Sequence, residues 1–208
     1  ELAIDNDAQI RGGSFLVYSD FGEITGNVDL GPTGENVELA LTLTDFDFSA
    51  FAEGAADLAL LKALEAKVNA KIKASGKITG EVDTLNMSVA IKDGKINLPD
   101  LYEEKLNIKS ATFDVVANDN FNQFDITKGQ IDVGEGVIIV GGQSLVEDGL
   151  RNINFSATLV DFQMQNLHKY WPQSMGSDAW NWVVPNIPKG NIPEATIDVV
   201  GTLSTDGA

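Results

Sequence analysis

The sequence predicts an all-β, mostly antiparallel fold carrying one or two short helices. The dominant hydrophobic period is two, glycine-bearing turn signals recur at intervals of roughly eight to twelve residues, and helical patterning is scarce. Short strands punctuated in this way point to a meander, sandwich or barrel rather than to βαβ units.

In chain order, Gly12-Gly13 and Gly31-Pro32 punctuate the first strands. Leu39, Leu41 and Leu43 occupy odd positions, whereas Phe46 and Phe48 occupy even ones. A bulge near Thr44-Asp45 accounts for the slip, because one extra residue shifts the apolar set by one position. Asp57–Ala66 combines good helix formers with Leu58, Leu61 and Leu64 on one face, which predicts a short helix. Val68, Ala70, Ile72 and Ala74 then return to strand, up to a turn at Ser75-Gly76. Leu85, Met87, Val89 and Ile91 alternate with polar or small residues, and Asp93-Gly94 reads as a hairpin turn before Ile96 and Leu98.

The second half repeats the pattern. Ala111, Phe113 and Val115 form one alternating run, and Ile153, Phe155, Ala157 and Leu159 form another. Lys128-Gly129, Glu135-Gly136 and Asp148-Gly149 mark turns between and around them. Leu167–Tyr170 and Ser177–Val184 are the other helix candidates, with Ser177 as the candidate cap of the second. After Lys189-Gly190, Ala195, Ile197, Val199, Gly201 and Leu203 alternate as a final strand. No linker or low-complexity segment interrupts residues 1–208, which read as a single domain, abruptly bounded like a piece of a longer protein.

Composition narrows the function. Fourteen basic against 31 acidic residues give a net charge of −17. That disfavours a nucleic-acid partner, whose affinity comes mainly from lysine and arginine neutralising phosphates. It equally disfavours peripheral docking on an anionic bilayer. There is no cysteine, so disulfides, thiolate catalysis and thiolate metal sites are absent. The longest apolar runs, such as Val137–Val140, fall far short of the roughly 20 residues a membrane helix needs.

Catalytic patterns are missing too, and the chain reads as a non-enzyme without cofactor or metal. The single histidine, His168, sits beside Tyr170 and Trp171 and lacks the Gly-x-Ser-x-Gly elbow a serine hydrolase would supply. Gly12-Gly13 and Gly141-Gly142 lack the strand–loop–helix setting of a phosphate cradle. Asp5-Asn6-Asp7 and Asp45-Phe46-Asp47 do not complete an EF-hand calcium loop. The many carboxylates keep a carbohydrate-active enzyme in view as a minor class, but most lie at polar strand positions, where solvation explains them.

The most distinctive feature is aromatic. All three tryptophans fall between Trp171 and Trp182. The stretch Leu167-His-Lys-Tyr-Trp-Pro172, followed by Ala179-Trp-Asn-Trp-Val-Val-Pro-Asn-Ile-Pro-Lys-Gly-Asn-Ile192, resembles a signature of the AsmA-like superfamily in its YhdP-like branch. The matching positions are Trp171-Pro172, Trp182-Val183, Asn186-Ile187 and Gly190, with Ile91–Pro99 resembling a family turn upstream; the resemblance spans about residues 40–208. Trp180 stands in the region where the family often has an arginine.

The resemblance implies an elongated, curved, groove-forming sheet in a bridge-like lipid transfer protein of the Gram-negative envelope. It implies a periplasmic location, an inner-membrane anchor outside this segment, and phospholipid passage toward the outer membrane. Its partners would be phospholipid, the rest of the same longer chain, and both membranes through the flanks. Groove-lining candidates from alternation are Leu85, Met87, Val89, Ile91, Phe113, Val115, Ile153, Phe155, Leu159, Ile197 and Val199. Trp171, Pro172, Trp180, Trp182, Asn186 and Gly190 form the motif, as a plug or gate. Alternation alone leaves a second reading open: a structural or adhesive β-domain whose apolar face is an ordinary filled core.

Overall fold

A computed structural model describes residues 2–4, 10–52, 62–102, 104–171, 174 and 176–204. They form one eleven-stranded sheet in which every strand pairs antiparallel with its neighbours in sequence. The strands are β1 (Leu2–Ile4), β2 (Ile10–Ser19), β3 (Gly22–Leu30), β4 (Asn36–Asp47), β5 (Leu64–Lys77) and β6 (Val82–Ile96). They continue as β7 (Leu106–Asn118), β8 (Gln123–Asp132), β9 (Val137–Glu147), β10 (Leu150–Gln163) and β11 (Asn191–Ser204). Three short helices complete the described chain: α1 (Phe48–Phe51), α2 (Leu167–Tyr170) and α3 (Ser177–Asn186). The sheet is open, with β1 and β11 at its two edges.

A meander sorts its connections onto two rims. Turns at 31–35, 78–81, 119–122 and 148–149 line one rim, here the hairpin rim. The last of these is a two-residue loop in which Asp148 (φ 51°) and Gly149 (φ 74°) both take the left-handed conformation that matches strand twist. The links between β6 and β7 and between β10 and β11, the second carrying α2 and α3, lie on the opposite rim, here the connection rim, as does α1 after β4.

Register explains why alternation in sequence becomes one surface. Residues directly opposed across antiparallel strands share a face. Met87 pairs with Ile72 and Val115, Ile72 with Leu41, and Leu41 with Gly26. Val115 pairs with Ile126, which pairs with Gly142, then Phe155, then Val199. A parallel row runs Val17, Ile24, Leu43, Ala70, Val89, Phe113, Gly129, Val140, Ala157 and Ile197. Another joins Leu39, Ala74, Leu85, Ala117 and Phe124. The opposite face carries residues such as Lys71, Lys73, Asn86, Ser88 and Asp114. A flat single layer would leave both faces equally wet. Here the apolar face is buried or half-buried through β3–β10 while polar positions such as Lys71, Lys73, Asn86 and Ser88 stay exposed, so the sheet curves over its apolar side.

Three bulges of one kind keep that face apolar near the connection rim. In β4, β6 and β10 an aspartate takes positive φ: Asp45 (49°), Asp93 (50°) and Asp161 (59°). Each follows a buried aliphatic by two residues and precedes another buried position by one: Leu43 and Phe46, Ile91 and Gly94, Leu159 and Phe162. Aspartate tolerates the left-handed region better than most residues, and the extra residue resets the phase.

Aromatic rings cover glycines on adjacent strands of the curved face. A Cβ built on Gly26 would lie 2.5 Å from the Phe15 ring, on Gly129 3.1 Å from Phe113, and on Gly142 2.7 Å from Phe155. Each Gly lets a neighbouring ring lie down on backbone, which smooths the surface and shields the ladder.

Two buried clusters lie toward the connection rim. One joins Leu43, Phe46, Ala66, Val68, Ala70, Ile91, Ile108 and Ala111, with Phe21 and Phe48 packed on it. The other joins Val133, Leu159, Phe162 and Leu167, with Tyr170, Trp171 and Val183 against it. Phe46 meets Phe48 edge-on at 5.0 Å, and Phe162 meets Tyr170 edge-on at 5.1 Å.

Several expectations need correction. Asp93-Gly94 is a bulge inside β6 and not a hairpin, because pairing continues from Lys92–Ser110 to Gly94–Ile108. Gly12-Gly13, Ser75-Gly76 and Lys128-Gly129 likewise lie within strands; the last sits at a register shift in β8. The expected helix at Asp57–Ala66 falls partly outside the described residues, and its final part, Leu64–Ala66, is already β5, where Ala66 is core. Ser177 does not cap α3; Gly176, at φ 69°, holds that position without a side-chain bond. The bulge near Thr44-Asp45 and the helices near 167–170 and 177–184 are present. The Asp5–Asp7 stretch lies outside the described residues.

Candidate functional site

The apolar face is the one feature built on the scale of the whole chain. By register, its positions in β2–β11 are Ala, Val, Leu, Ile, Met, Phe or Gly, broken by Arg11, Ser19, Ser144 and Arg151. No carboxylate is paired in register on it, although the chain has 31; the bulge aspartates Asp45, Asp83, Asp93 and Asp161 are exposed and outside the register. All eleven residues expected to line a groove lie on this face. Ile91, Val115 and Leu159 are buried; Leu85, Met87, Val89, Phe113, Ile153 and Phe155 are half-buried. Ile197 (45% exposed) and Val199 (43%) stand open on the edge strand β11, as do Phe15 (39%) and Val17 (45%) on β2 at the other end. Contacts between elements run mainly between adjacent strands, with α1 against β5 the chief addition. Among the described residues the face therefore carries no second packed layer over its length.

Across its width the face divides. Beside the connection rim it is filled by the protein's own side chains, the two clusters above. Toward the hairpin rim neither cluster reaches it among the described residues. The result is a trough with one packed wall and one low wall.

The packed wall holds most of the aromatic motif. Trp171 packs against the Phe162 cluster, and Trp180 donates its indole N–H to the Trp171 carbonyl at 3.1 Å. Trp182 is 62% exposed, and its carbonyl accepts from Asn186 Nδ2 at 2.7 Å. Gly190 accepts from the Met164 N–H through its carbonyl at 2.9 Å, closing the link between β10 and β11. Pro172 lies outside the described residues. The motif thus splits: Trp171 and Trp180 build the wall, whereas Trp182 points to solvent.

Glu135 ties this wall to the β8–β9 turn. It accepts from Lys169 Nζ at 3.0 Å and from the Tyr170 hydroxyl at 3.2 Å, while Tyr102 donates to the Tyr170 carbonyl at 3.3 Å. Burial, then the Glu135 charge, pushes the Tyr170 hydroxyl up to about 12, and burial also raises Tyr102. These shifts follow from packing and a neighbouring carboxylate.

His168 is exposed on α2. Among the described residues no group of His, Cys, Asp or Glu could hold a metal ion, and no helix is long and apolar enough to cross a membrane. Charge pairs such as Lys67–Asp47 (3.5 Å) and Lys105–Glu65 (2.6 Å) lie on the polar face.

Ser144 and Arg151 join the site through the fold. Ser144 is the one buried polar residue in the described core, and its hydroxyl accepts from Arg151 Nη1 at 2.9 Å. The signal was present: Arg151 continues the odd-numbered run Ile153, Phe155, Ala157, Leu159 backwards by two, which places it on the apolar face. Comparisons with protein-family models, curated proteins and solved structures find no match to this chain.

Proposed function

We propose that this chain shelters acyl chains of lipid in its open trough, as a lipid-handling segment of an envelope protein of the AsmA-like type. The observation that carries the reading is the in-register apolar face, free of in-register carboxylates and without a second layer among the described residues, running across the strands from β2 to β11. A soluble domain with an ordinary core covers such a surface with a second sheet or helices. Large exposed apolar surfaces instead mark binding sites.

The chemistry suits transfer better than tight recognition. Each shielded methylene contributes about 0.8 kcal/mol, so a long chain is held firmly without directional bonds and slides along rows of similar side chains. The rows run perpendicular to the strands, so the sliding path follows strand order. The motif resemblance around Trp171–Gly190 supports the same reading and adds a periplasmic setting, phospholipid as cargo, both membranes as end points, and no catalytic step. The filled rows beside the connection rim favour a structural role for that wall alone.

The test is binding of a fluorescently labelled long-chain fatty acid to the wild type and to Val89→Asp, Phe155→Asp and Val199→Asp. Val199 is already 43% exposed, so its variant is expected to retain the fold. Saturable uptake by wild type, weakened in folded variants, supports the trough. Uptake unchanged in all three, or absent from wild type, sinks it in favour of a structural domain.

A further inference from the structure

We propose that Arg151 is an anion-binding point for the head group of an acyl-chain ligand, on the low wall of the trough. This rests on the reading of the apolar face as an acyl-chain site and adds the ligand's class: an amphiphile whose head is phosphate or another anion.

The chain contains two arginines, Arg11 and Arg151, and alternation places both on the apolar face toward the hairpin rim. Arg151 stands in register with Val146 on β9 and Leu203 on β11, two residues along β10 from Ile153. Its immediate surroundings on the face are therefore aliphatic. Placing a guanidinium there is unfavourable unless the charge is matched, because a buried or half-buried cation loses hydration. Yet its two partners are neutral: the Ser144 hydroxyl at 2.9 Å and the Phe121 carbonyl at 3.2 Å. In a chain with 31 carboxylates, Arg151 makes no ion pair with any described residue.

The two neutral bonds hold the guanidinium plane without neutralising it. Ser144, 5% exposed, anchors Nη1 from the trough floor, and Phe121 anchors Nη2 from the 119–122 turn. A planar fork fixed at its root, with donors remaining, suits a phosphate or carboxylate. An acyl chain lying over Ile153 and Phe155 would bring its head to the hairpin rim beside Arg151, where solvent begins. The net charge of −17 repels free anions from the molecule, so the site selects an anion delivered by an apolar tail.

The experiment is competition for a neutral fluorescent acyl probe at fixed ionic strength, below micelle formation. Competitors are a long-chain alkyl phosphate, the alcohol of the same chain, and inorganic phosphate. Wild type is expected to bind the alkyl phosphate about tenfold or more tightly over the alcohol, the scale of a charge-assisted bond. Arg151→Gln should bring that ratio near one while leaving alcohol affinity within about twofold, since that reports apolar burial alone. Arg151→Lys should retain part of the preference. Equal binding of phosphate and alcohol by wild type overturns the proposal. So does a preference that survives Arg151→Gln when only thermal stability falls, which leaves Arg151 as a brace for the 119–122 turn. Displacement by inorganic phosphate alone, as strong as by alkyl phosphate, replaces the head-group site with a free-anion site. Failure of the neutral probe itself to bind refutes the trough, a separate result from loss of selectivity.

Discussion

Phe162→Ala tests the packed wall most severely. Phe162 is fully enclosed at 0% exposure, meets Tyr170 edge-on at 5.1 Å, and lies against Gly136, where a Cβ would come within 2.6 Å of the ring. Removing the ring forfeits its transfer free energy and leaves a cavity between β8–β9 and α2 that backbone cannot easily close. Comparable truncations cost about 3–5 kcal/mol, of which the edge-to-face pair supplies roughly 0.5–1.5. For a chain of this size that corresponds to a melting-temperature loss of roughly 6–20 °C. Because strands contact mainly their neighbours, stability is close to one-dimensional, and the damage should concentrate at one end of the sheet. Urea unfolding followed by tryptophan fluorescence reads the effect directly, since Trp171 belongs to the same cluster. Hydrogen exchange should show lost protection in β8–β11 with β4–β7 largely spared. A cost below about 1 kcal/mol, or uniform loss of protection over all strands, would refute the enclosed wall and the one-dimensional accounting.

Further consequences follow from local geometry. Gly142 has φ 142°, and a Cβ there would lie 2.7 Å from the Phe155 ring, so Gly142→Ala should destabilise by roughly 2 kcal/mol or more in thermal unfolding. Asp47 caps α1, accepting from Ser49 Oγ at 2.7 Å and the Ala50 N–H at 3.1 Å; with Lys67 nearby, these bonds hold its carboxyl below the usual range. Its contribution is full above pH 4 or so and is lost as pH falls through the lowered value; Asp47→Ala should cost about 1 kcal/mol at neutral pH and nothing in strong acid. The Tyr170 hydroxyl, pushed up to about 12, should ionise near that pH in an absorbance titration. Its raised value stabilises the fold below pH 10 or so and ceases to do so as pH rises through about 12, so alkaline opening should begin at the Tyr170 wall; Tyr170→Phe should abolish that late step.

Much of the fold was legible because a strand's two-residue period is written locally. The alternating runs around Met87, Phe113 and Phe155 each declared their apolar side, and all eleven lining candidates share a face. What alternation does not carry is register. The rows joining Leu41 to Val199 through eight strands exist only once pairing is set by tertiary structure. The three aspartate bulges show how one local signal reads in different ways. Leu43-Thr-Asp-Phe46 breaks the period visibly and was interpretable as a bulge. Ile91-Lys-Asp-Gly94 carries Asp-Gly, which is also the strongest hairpin signal, so it read as a turn. Leu159-Val-Asp-Phe162 gives the same three-residue spacing but ends an alternating run, where a slip is easily taken for the strand's end. The helix expected up to Ala66 failed at its C-terminal end because Leu64 and Ala66 fit strand spacing as well, and pairing with β6 decided the matter. Arg151 was hidden for a different reason: a charge on an apolar face looks like the end of the pattern until register places it there.

The most direct test of the central claim is native mass spectrometry of the purified chain, with organic extraction of whatever co-purifies. An open acyl-chain trough predicts adducts of lipid mass that the wild type retains and that Phe155→Asp and Val199→Asp lose while still folded. A chain that emerges free of lipid, and stays free after incubation with phospholipid vesicles, would contradict the account and leave the curved sheet as a structural element.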